Sequence, residues 1–436
     1  MARPGFPPSA ARIAERLRAL AKSDRVFAMA DQALLGAANL IAMACFARML
    51  PKADFGALGA ALGVHFVLFG FHRANLVLPF ILAAKSETER EQRPWAWFAI
   101  WISVAVAVLL LAASWIAGRL PIPPLAAQVL LYAAILSPAM LLQEFGRRWL
   151  YQARQNPWVV ASSGVAAAIV GLGLVLEWTS GRPSLGAPLA LAAGSLGGAL
   201  VAFARRSPWP SSPLGEIWER WRRKRRFSLW QSLTHVPYVI YNNGYVLLLT
   251  AISGPLAAAG FMSLRTLLSP AVSLISAVDS TDKLRAVSAF GRDGVRGAKA
   301  SVDNTRRFLL ALNTPFLLVV CVLAGPLQTL VFGAGYVHVH EAWVMAAYFL
   351  LLSVNQPYET FLIVQESGRP LFLSRLLSAG TAIGALCLLG PRYGLLGAAW
   401  ALVIAQGLNC LALYLLSARE LVQARVAAEP AALAAE

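Results

Sequence analysis

Apolar residues in this chain gather into twelve long stretches, separated by short polar gaps. The stretches lie at residues 26–50, 55–84, 95–118, 126–149, 157–178, 187–204, 228–252, 256–281, 308–332, 342–365, 371–390 and 394–417. About 20 apolar residues cross the ~30 Å hydrocarbon core of a bilayer. Backbone polar groups in lipid must pair within the protein, so such stretches form helices. The pattern predicts an all-α integral membrane protein with twelve transmembrane helices.

Basic residues are concentrated in every second gap. With the N-terminus inside, 31 of the 38 Lys and Arg residues fall on the inner side and 5 on the outer side. The remaining two, Arg73 and Arg265, fall within spans. Because inner loops of membrane proteins carry the excess of Lys and Arg, both termini are predicted to face the cytoplasm.

The longest polar connection, residues 205–227, follows the sixth span and divides the chain into two sets of six. We predict an N-lobe at 26–204 and a C-lobe at 228–418. The flanking segments, 1–25 and 419–436, are predicted to be a cytoplasmic amphipathic N-terminus and a cytoplasmic tail. The basic and aromatic residues of the linker favour an interfacial helix against anionic lipid, with a regulatory partner as the alternative. Two weakly similar six-span halves are typical of alternating-access transporters.

Composition narrows the functional classes. The chain is 58% hydrophobic and only 14% charged, against about 25% charged in soluble proteins. The net charge of +17 lies beside the spans, so we expect no nucleic-acid partner. His338, His340 and Glu341 come close together in an outer turn, but no further ligand is nearby, and neither a metal nor a cofactor is predicted. No P-loop, GxSxG, HExxH or paired-carboxylate motif occurs, which indicates a protein that is not an enzyme.

Several segments, in order, resemble one family. RVFAMADQALLGAANLIAMACFARMLPKADFGALGAAL, FGFHRANLVLPFIL, QEFGRRWLYQARQNP, GPLAAAGFMSLRTLLSP and GRPLFLSRLLSAG are similar to bacterial polysaccharide-biosynthesis membrane proteins of the multidrug/oligosaccharidyl-lipid/polysaccharide exporter (MOP) superfamily. The resemblance implies two six-helix lobes that form a V around a central cavity lined by spans 1, 2, 7 and 8. It also implies flipping of polyprenyl-diphosphate-linked glycans across the bacterial inner membrane.

The two arginines within spans are the first candidate site residues. A charged side chain at mid-span costs roughly 2.5–3.5 kcal/mol on insertion scales, so Arg73 and Arg265 should face the protein interior or a wet cavity. Two facing guanidiniums would hold a diphosphate through charge-assisted hydrogen bonds. The alternative is a structural salt bridge, such as Arg73 with Asp31 or Arg265 with Asp279.

Other polar residues within spans are weaker candidates. Asp31 is expected to balance an arginine, bind a coupling cation or cap its helix, and Asn39 lies two turns further along. Glu359 is a candidate for ion coupling, whereas Glu144 is expected to form a surface pair with the arginines that follow it.

In span 2, His72 and Asn75 are candidates for hydrogen bonds to sugar hydroxyls or the diphosphate, whereas His65 is expected to be a packing histidine, with the same hydrogen bonds as its alternative. Span 7 carries a polar and aromatic stripe that either contacts the glycan or forms hydrogen bonds between helices. The stripe consists of His235, Tyr238, Asn242 and Tyr245.

The leading hypothesis is a flippase for the lipid-linked unit of a surface polysaccharide, either exopolysaccharide or O-antigen. Its expected partners are a polyprenyl-diphosphate-linked glycan, anionic membrane lipids, and polysaccharide polymerase or assembly proteins. One rival is a cation-coupled multidrug exporter of the same superfamily, although two arginines are a poor match for cationic cargo. Other rivals are a membrane-embedded glycosyltransferase or polymerase and a non-transporting partner of a polysaccharide assembly complex.

Overall fold

A computed structural model describes residues 24–83, 89–121, 124–180, 185–208, 214–239, 245–332 and 337–433. Within these ranges every regular element is a helix. The all-α prediction is therefore confirmed for the described part of the chain.

The helices follow one another with short connections. They are α1 (Asp24–Met49), α2 (Lys52–His72), a π-helical segment (Arg73–Val77), α3 (Leu78–Ala83), α4 (Glu89–Ala117), α5 (Pro124–Gln152), α6 (Asn156–Ser180), α7 (Gly186–Arg205), α8 (Leu214–Val239), α9 (Tyr245–Val322), α10 (Ala324–Phe332), α11 (Val339–Val364) and α12 (Gly368–Leu433). Predicted span 2 thus contains α2, the π-helical segment and α3.

Three glycines interrupt the two longest helices. Helix α9 is broken at Gly254 (φ 86°, ψ 169°) and Gly294 (φ 61°, ψ −148°). Helix α12 is broken at Gly394 (φ 53°, ψ −124°). These backbone conformations are open to glycine at little cost and strained for other residues. The breaks coincide with the predicted boundaries between spans 7 and 8, 8 and 9, and 11 and 12.

Eight helical stretches of the described chain are long and apolar enough to cross a membrane. Two of them, Gly260–Val322 and Gly368–Arg419, each contain two predicted spans, so the eight stretches include ten of the twelve. The exceptions are predicted spans 7 and 10, which carry polar residues such as His235 and Glu359. These helices indicate a multi-pass membrane protein. That the chain crosses the membrane twelve times, and with which orientation, stay predictions.

The chain divides into two compact units. Unit 1 consists of Met1–His65 and Ala96–Ser211, and unit 2 consists of Phe66–Trp95 and Ser212–Glu436. The sequence interpretation placed residues 66–95 in the first lobe, whereas their contacts are with unit 2. The predicted lobe boundaries themselves stay predictions.

Small residues allow the helices of unit 1 to approach closely. A methyl group added at Gly198 would lie 2.9 Å from the carbonyl oxygen of Ser162, and one at Gly194 would lie 2.8 Å from that of Ala166. Helices α6 and α7 therefore pack nearly backbone to backbone, as is common between transmembrane helices. The apolar core beside them contains Phe46, Leu58, Tyr132, Leu136 and Leu191.

The core of unit 2 is built from α9, α11 and α12. It contains Tyr245, Leu264, Leu317, Phe349 and Leu402, all buried. The Tyr245 hydroxyl donates a hydrogen bond to the Ala398 carbonyl oxygen at 2.7 Å. This bond satisfies a polar group that would otherwise be costly in an apolar interior.

The basic segment after span six is not a separate helix. Helix α8 runs without interruption from Leu214 to Val239, and so includes the basic residues together with the start of predicted span 7. Trp218 and Trp221 stack with ring centroids 5.0 Å apart in its first half. The arginines between them and Phe227 are mostly exposed.

Candidate functional site

Arg73 stands at an irregular point of span 2. It is the first residue of the π-helical segment Arg73–Val77, and single π-turns within α-helices occur frequently at functional sites. Its side chain is 34% exposed, and the guanidinium lies 5.7 Å from the centre of the Phe69 ring. A charged side chain in span 2 is thus partly accessible.

The carboxylate of Asp279 lies opposite Arg73. The distance from Arg73 Nη2 to Asp279 Oδ2 is 4.0 Å. Lys283 Nζ donates to the same oxygen at 2.7 Å, and the Thr360 hydroxyl donates to Asp279 Oδ1 at 2.9 Å. Two cations and one hydroxyl therefore converge on a single buried carboxylate.

A second buried carboxylate lies one turn further along α9. Asp282 accepts hydrogen bonds from the Thr305 hydroxyl at 2.6 Å and from Arg285 Nη1 at 3.3 Å. A small cavity is lined by both carboxylates together with Lys283, Thr305 and Thr360. Across the described residues no group of three or more His, Cys, Asp and Glu side chains is arranged to hold a metal ion.

Arg265 does not meet Arg73. It precedes Asp279 by fourteen residues in one unbroken helical segment of α9, which corresponds to about 21 Å along the axis. Helical side chains also tilt toward the N-terminus, so Arg265 points further from Asp279. The two arginines do not converge on one diphosphate in this structure, and the alternative pairing of Arg265 with Asp279 is wrong, since Asp279 pairs with Lys283 and Arg73.

The other predicted residues of span 2 connect it to α8. Asn75 Nδ2 donates to Ser232 Oγ at 2.8 Å and to the Phe71 carbonyl oxygen at 3.0 Å. His72 is buried at the start of the π-helical segment, and His65 is buried in unit 1. Asn75 thus forms a hydrogen bond between helices, and its predicted contact with the glycan or diphosphate stays a prediction.

In α8, His235 packs against Gly70, where a methyl group would collide with the imidazole. The imidazole also packs against Phe71 in a T-shaped arrangement, with 5.6 Å between ring centres. It stacks on Tyr238, with 5.8 Å between ring centres. Tyr238 is 41% exposed and lies 5.2 Å below the Arg375 guanidinium. Tyr238 thus remains accessible, whereas Tyr245 of the same predicted stripe belongs to the core. The predicted residue Asn242 lies outside the described residues.

Asp31 is fully buried in unit 1 and pairs with Arg147. The Tyr151 hydroxyl donates to Asp31 Oδ2 at 2.7 Å, and the Ser163 hydroxyl donates to Oδ1. Of the three predicted roles, the structure shows the one in which Asp31 balances an arginine. That arginine is Arg147 rather than Arg73.

Asn39, two turns along α1 from Asp31, is exposed.

Glu144 and Glu359 are both buried and paired. Glu144 accepts from Arg147 at 3.2 Å and Arg148 at 2.7 Å, so the predicted pairs exist. Their predicted position on the surface is wrong, because all three side chains are at most 10% exposed. Glu359 accepts from Arg375 at 2.6 Å. A carboxylate already paired with arginine is a weaker candidate for binding a coupling ion.

Sequence reasoning missed Lys283, Thr360 and Ser232. Lys283 had a detectable signal, because an acidic residue four positions before a lysine in a helix brings the two side chains together. Thr360 and Ser232 had none, since each meets its partner only through the packing of a different helix.

The sequence family agrees with this architecture. The family model described as "Polysaccharide biosynthesis protein" matches residues 32–280, more than half of the chain. The chain belongs to the polysaccharide biosynthesis protein family. No curated protein sequence matches it significantly.

Solved structures of transporters share the fold. A point mutant of a MATE transporter superposes with a TM-score of 0.77 at 14% identity, over 92% of this chain and 95% of that one. An outward-facing multidrug-resistance MATE transporter of the MOP superfamily gives 0.74 at 15% identity, over 92% and 96%. A MOP-superfamily transporter from Pyrococcus furiosus, described as having a binding pocket of reverse polarity that points to a different function, gives 0.73 at 14% identity, over 93% and 94%.

At these identities the likeness establishes the fold alone. Together with the family match, it confirms the resemblance drawn from the sequence to polysaccharide-biosynthesis membrane proteins, with the fold of MATE and other MOP-superfamily transporters. The protein is thus a multi-pass membrane protein with a transporter fold.

Proposed function

We propose that this protein translocates a polyprenyl-diphosphate-linked oligosaccharide across the bacterial inner membrane by alternating access. The phosphate-bearing head of the lipid binds at Arg73, and the polyprenyl tail stays in the bilayer. Glycan contacts come from accessible residues of unit 2 such as Tyr238. An inside-negative potential favours outward movement of an anion by about 2.3 kcal/mol per charge per 100 mV.

The observation that carries this proposal is that the Arg73 side chain is partly exposed and only loosely paired with Asp279. Its guanidinium is a third exposed, and its carboxylate neighbour already holds a closer cation at 2.7 Å. A partly accessible arginine that is only loosely paired suits an anionic ligand, because guanidinium and phosphate form strong, often bidentate hydrogen bonds. Membership of a polysaccharide-biosynthesis family supplies the class of cargo.

A cation-coupled multidrug exporter is the second candidate. Its support is the similarity to MATE transporters over more than nine-tenths of both chains. The Pyrococcus furiosus relative is relevant here, because its pocket is described as having reverse polarity. An accessible arginine in span 2 disfavours cationic cargo by charge repulsion.

The first test measures lipid-linked glycans in a deletion strain, with their leaflet determined by accessibility to an impermeant probe. We expect a completed polyprenyl-diphosphate glycan to accumulate on the cytoplasmic side while surface polymer is lost. Complementation with Arg73→Ala should lower export about tenfold or more, because a hydrogen bond to a charged group contributes about 1.5–3 kcal/mol. Arg73→Lys should retain part of the activity.

The matched control is Arg223→Ala, which removes an exposed arginine of α8 that pairs with the exposed Glu219. Membrane abundance of each variant is measured by immunoblot, and Arg223→Ala should export normally. An unchanged glycan pool together with increased sensitivity to cationic dyes would instead identify a multidrug exporter.

A further inference from the structure

Two cations in unit 2 share one carboxylate unequally. Lys283 Nζ lies 2.7 Å from Asp279 Oδ2, and Arg73 Nη2 lies 4.0 Å from the same atom. The Lys283 side chain is 4% exposed and the Arg73 side chain is 34% exposed. The buried lysine therefore forms the close ion pair with Asp279, and the arginine lies further from the carboxylate and is more exposed.

The positions of these residues in the helices explain why Lys283, and not Arg73, forms the close ion pair with Asp279. Asp279 and Lys283 are four residues apart in one unbroken helical segment of α9, so their side chains lie on the same face. Thr360 from α11 orients the other carboxylate oxygen through its 2.9 Å hydrogen bond. Arg73 comes from a different segment of unit 2 and holds no comparably short contact with Asp279. Since Coulomb attraction falls as the inverse of distance, the lysine neutralises most of the carboxylate's charge.

We propose that Lys283 is a positioning residue that occupies Asp279 and thereby keeps Arg73 available for the phosphate groups of the transported lipid. Lys283 itself does not touch the ligand. This inference rests on the function proposed above, and it replaces the pair of arginines expected from the sequence with a group of three charges: Arg73, Lys283 and Asp279.

The physical consequence is a competition for Arg73. Without the lysine, Asp279 is a buried carboxylate that needs a counter-charge, and the nearest remaining guanidinium is Arg73. Arg73 would move the short distance to a direct ion pair, and an anionic ligand would have to displace Asp279 in order to bind. Removing both Lys283 and Asp279 charges ends the competition and leaves Arg73 available again.

The test measures binding of inorganic diphosphate to the purified full-length protein in nanodiscs of zwitterionic lipid, so that no anionic headgroup competes. Isothermal titration calorimetry gives the Kd of the wild type and of each variant. We expect Lys283→Met to weaken binding at least tenfold and Lys283→Arg to bind within about threefold of wild type. The double variant Asp279→Asn with Lys283→Met should also return to within about threefold of wild type. Because the Kd is measured on folded protein, a change in stability alone would leave it unaltered.

Two results would overturn the inference. One is wild-type binding by folded Lys283→Met. The other is loss of binding in the folded double variant, which removes the buried ion pair as a unit and so does not depend on the stability of the single variant. In either case, loss of binding in Arg73→Ala would still support the proposed function. Diphosphate binding by Arg73→Ala equal to that of the wild type would instead refute the phosphate role of Arg73 itself.

Discussion

Charged side chains inside the helical units are neutralised in groups, and one of these groups surrounds the fully buried Asp31. Asp31 has no exposed surface. Its partner Arg147 and the second carboxylate bound to Arg147, Glu144, are at most 8% exposed. A charge in an apolar interior is tolerated only when it is paired and its hydrogen bonds are satisfied. The Asp31 group therefore holds α1, α5 and α6 together within unit 1.

At this scale we predict coupled effects on stability. Asp31→Ala leaves Arg147 with only the 3.2 Å contact to Glu144 and should lower the stability of the folded state by about 3 kcal/mol. Arg147→Ala should cost a similar amount, because it leaves Asp31 uncompensated. The double variant should be much less destabilised than the sum of the two, since both charges are gone.

The measurement is thermal unfolding of the detergent-solubilised protein, with Arg223→Ala as the exposed control that should melt like the wild type. Strictly additive effects would show that Asp31 and Arg147 do not act as a pair.

Glycine breaks in the helices coincide with the boundaries between predicted spans, and Arg73 lies at the start of a π-helical segment. The helical backbone is interrupted at Gly254, Gly294 and Gly394, which lie at these boundaries. The π-helical segment that begins at Arg73 shifts the register of span 2 relative to a continuous α-helix. Asn75, two residues later, then reaches Ser232 of α8.

At the scale of the element, Gly294→Ala tests the turn between predicted spans 8 and 9. An added methyl group at Gly294 meets no atom within 4 Å, so the expected loss of about 1–3 kcal/mol comes from backbone strain alone. The matched control is Gly407→Ala, which also meets no atom within 4 Å but has a helical backbone, and which should not destabilise the protein. Equal melting temperatures of the two variants would contradict this backbone conformation at Gly294.

For the whole molecule, the distribution of Lys and Arg makes the orientation testable. Reporter fusions after Arg90, Arg220, Val295 and Arg425 should report the cytoplasm, because the basic gaps face inward. Fusions after Arg182 and Tyr336 should report the periplasm. Alkaline phosphatase and green fluorescent protein provide opposite readouts at each position. A reversed pattern would overturn the orientation and the direction of transport proposed above.

The sequence by itself determined the helical class, the membrane environment and the family, because these depend on local hydropathy, span length and segment order. It also located Arg73, since a charge within a span is visible without a structure. Tertiary structure alone decided the partners that come from different helices. Asp31 pairs with a residue 116 positions away, and Asp279 receives a hydrogen bond from Thr360, 81 positions away. Such pairings depend on which helices pack together, and no local pattern of residues encodes them.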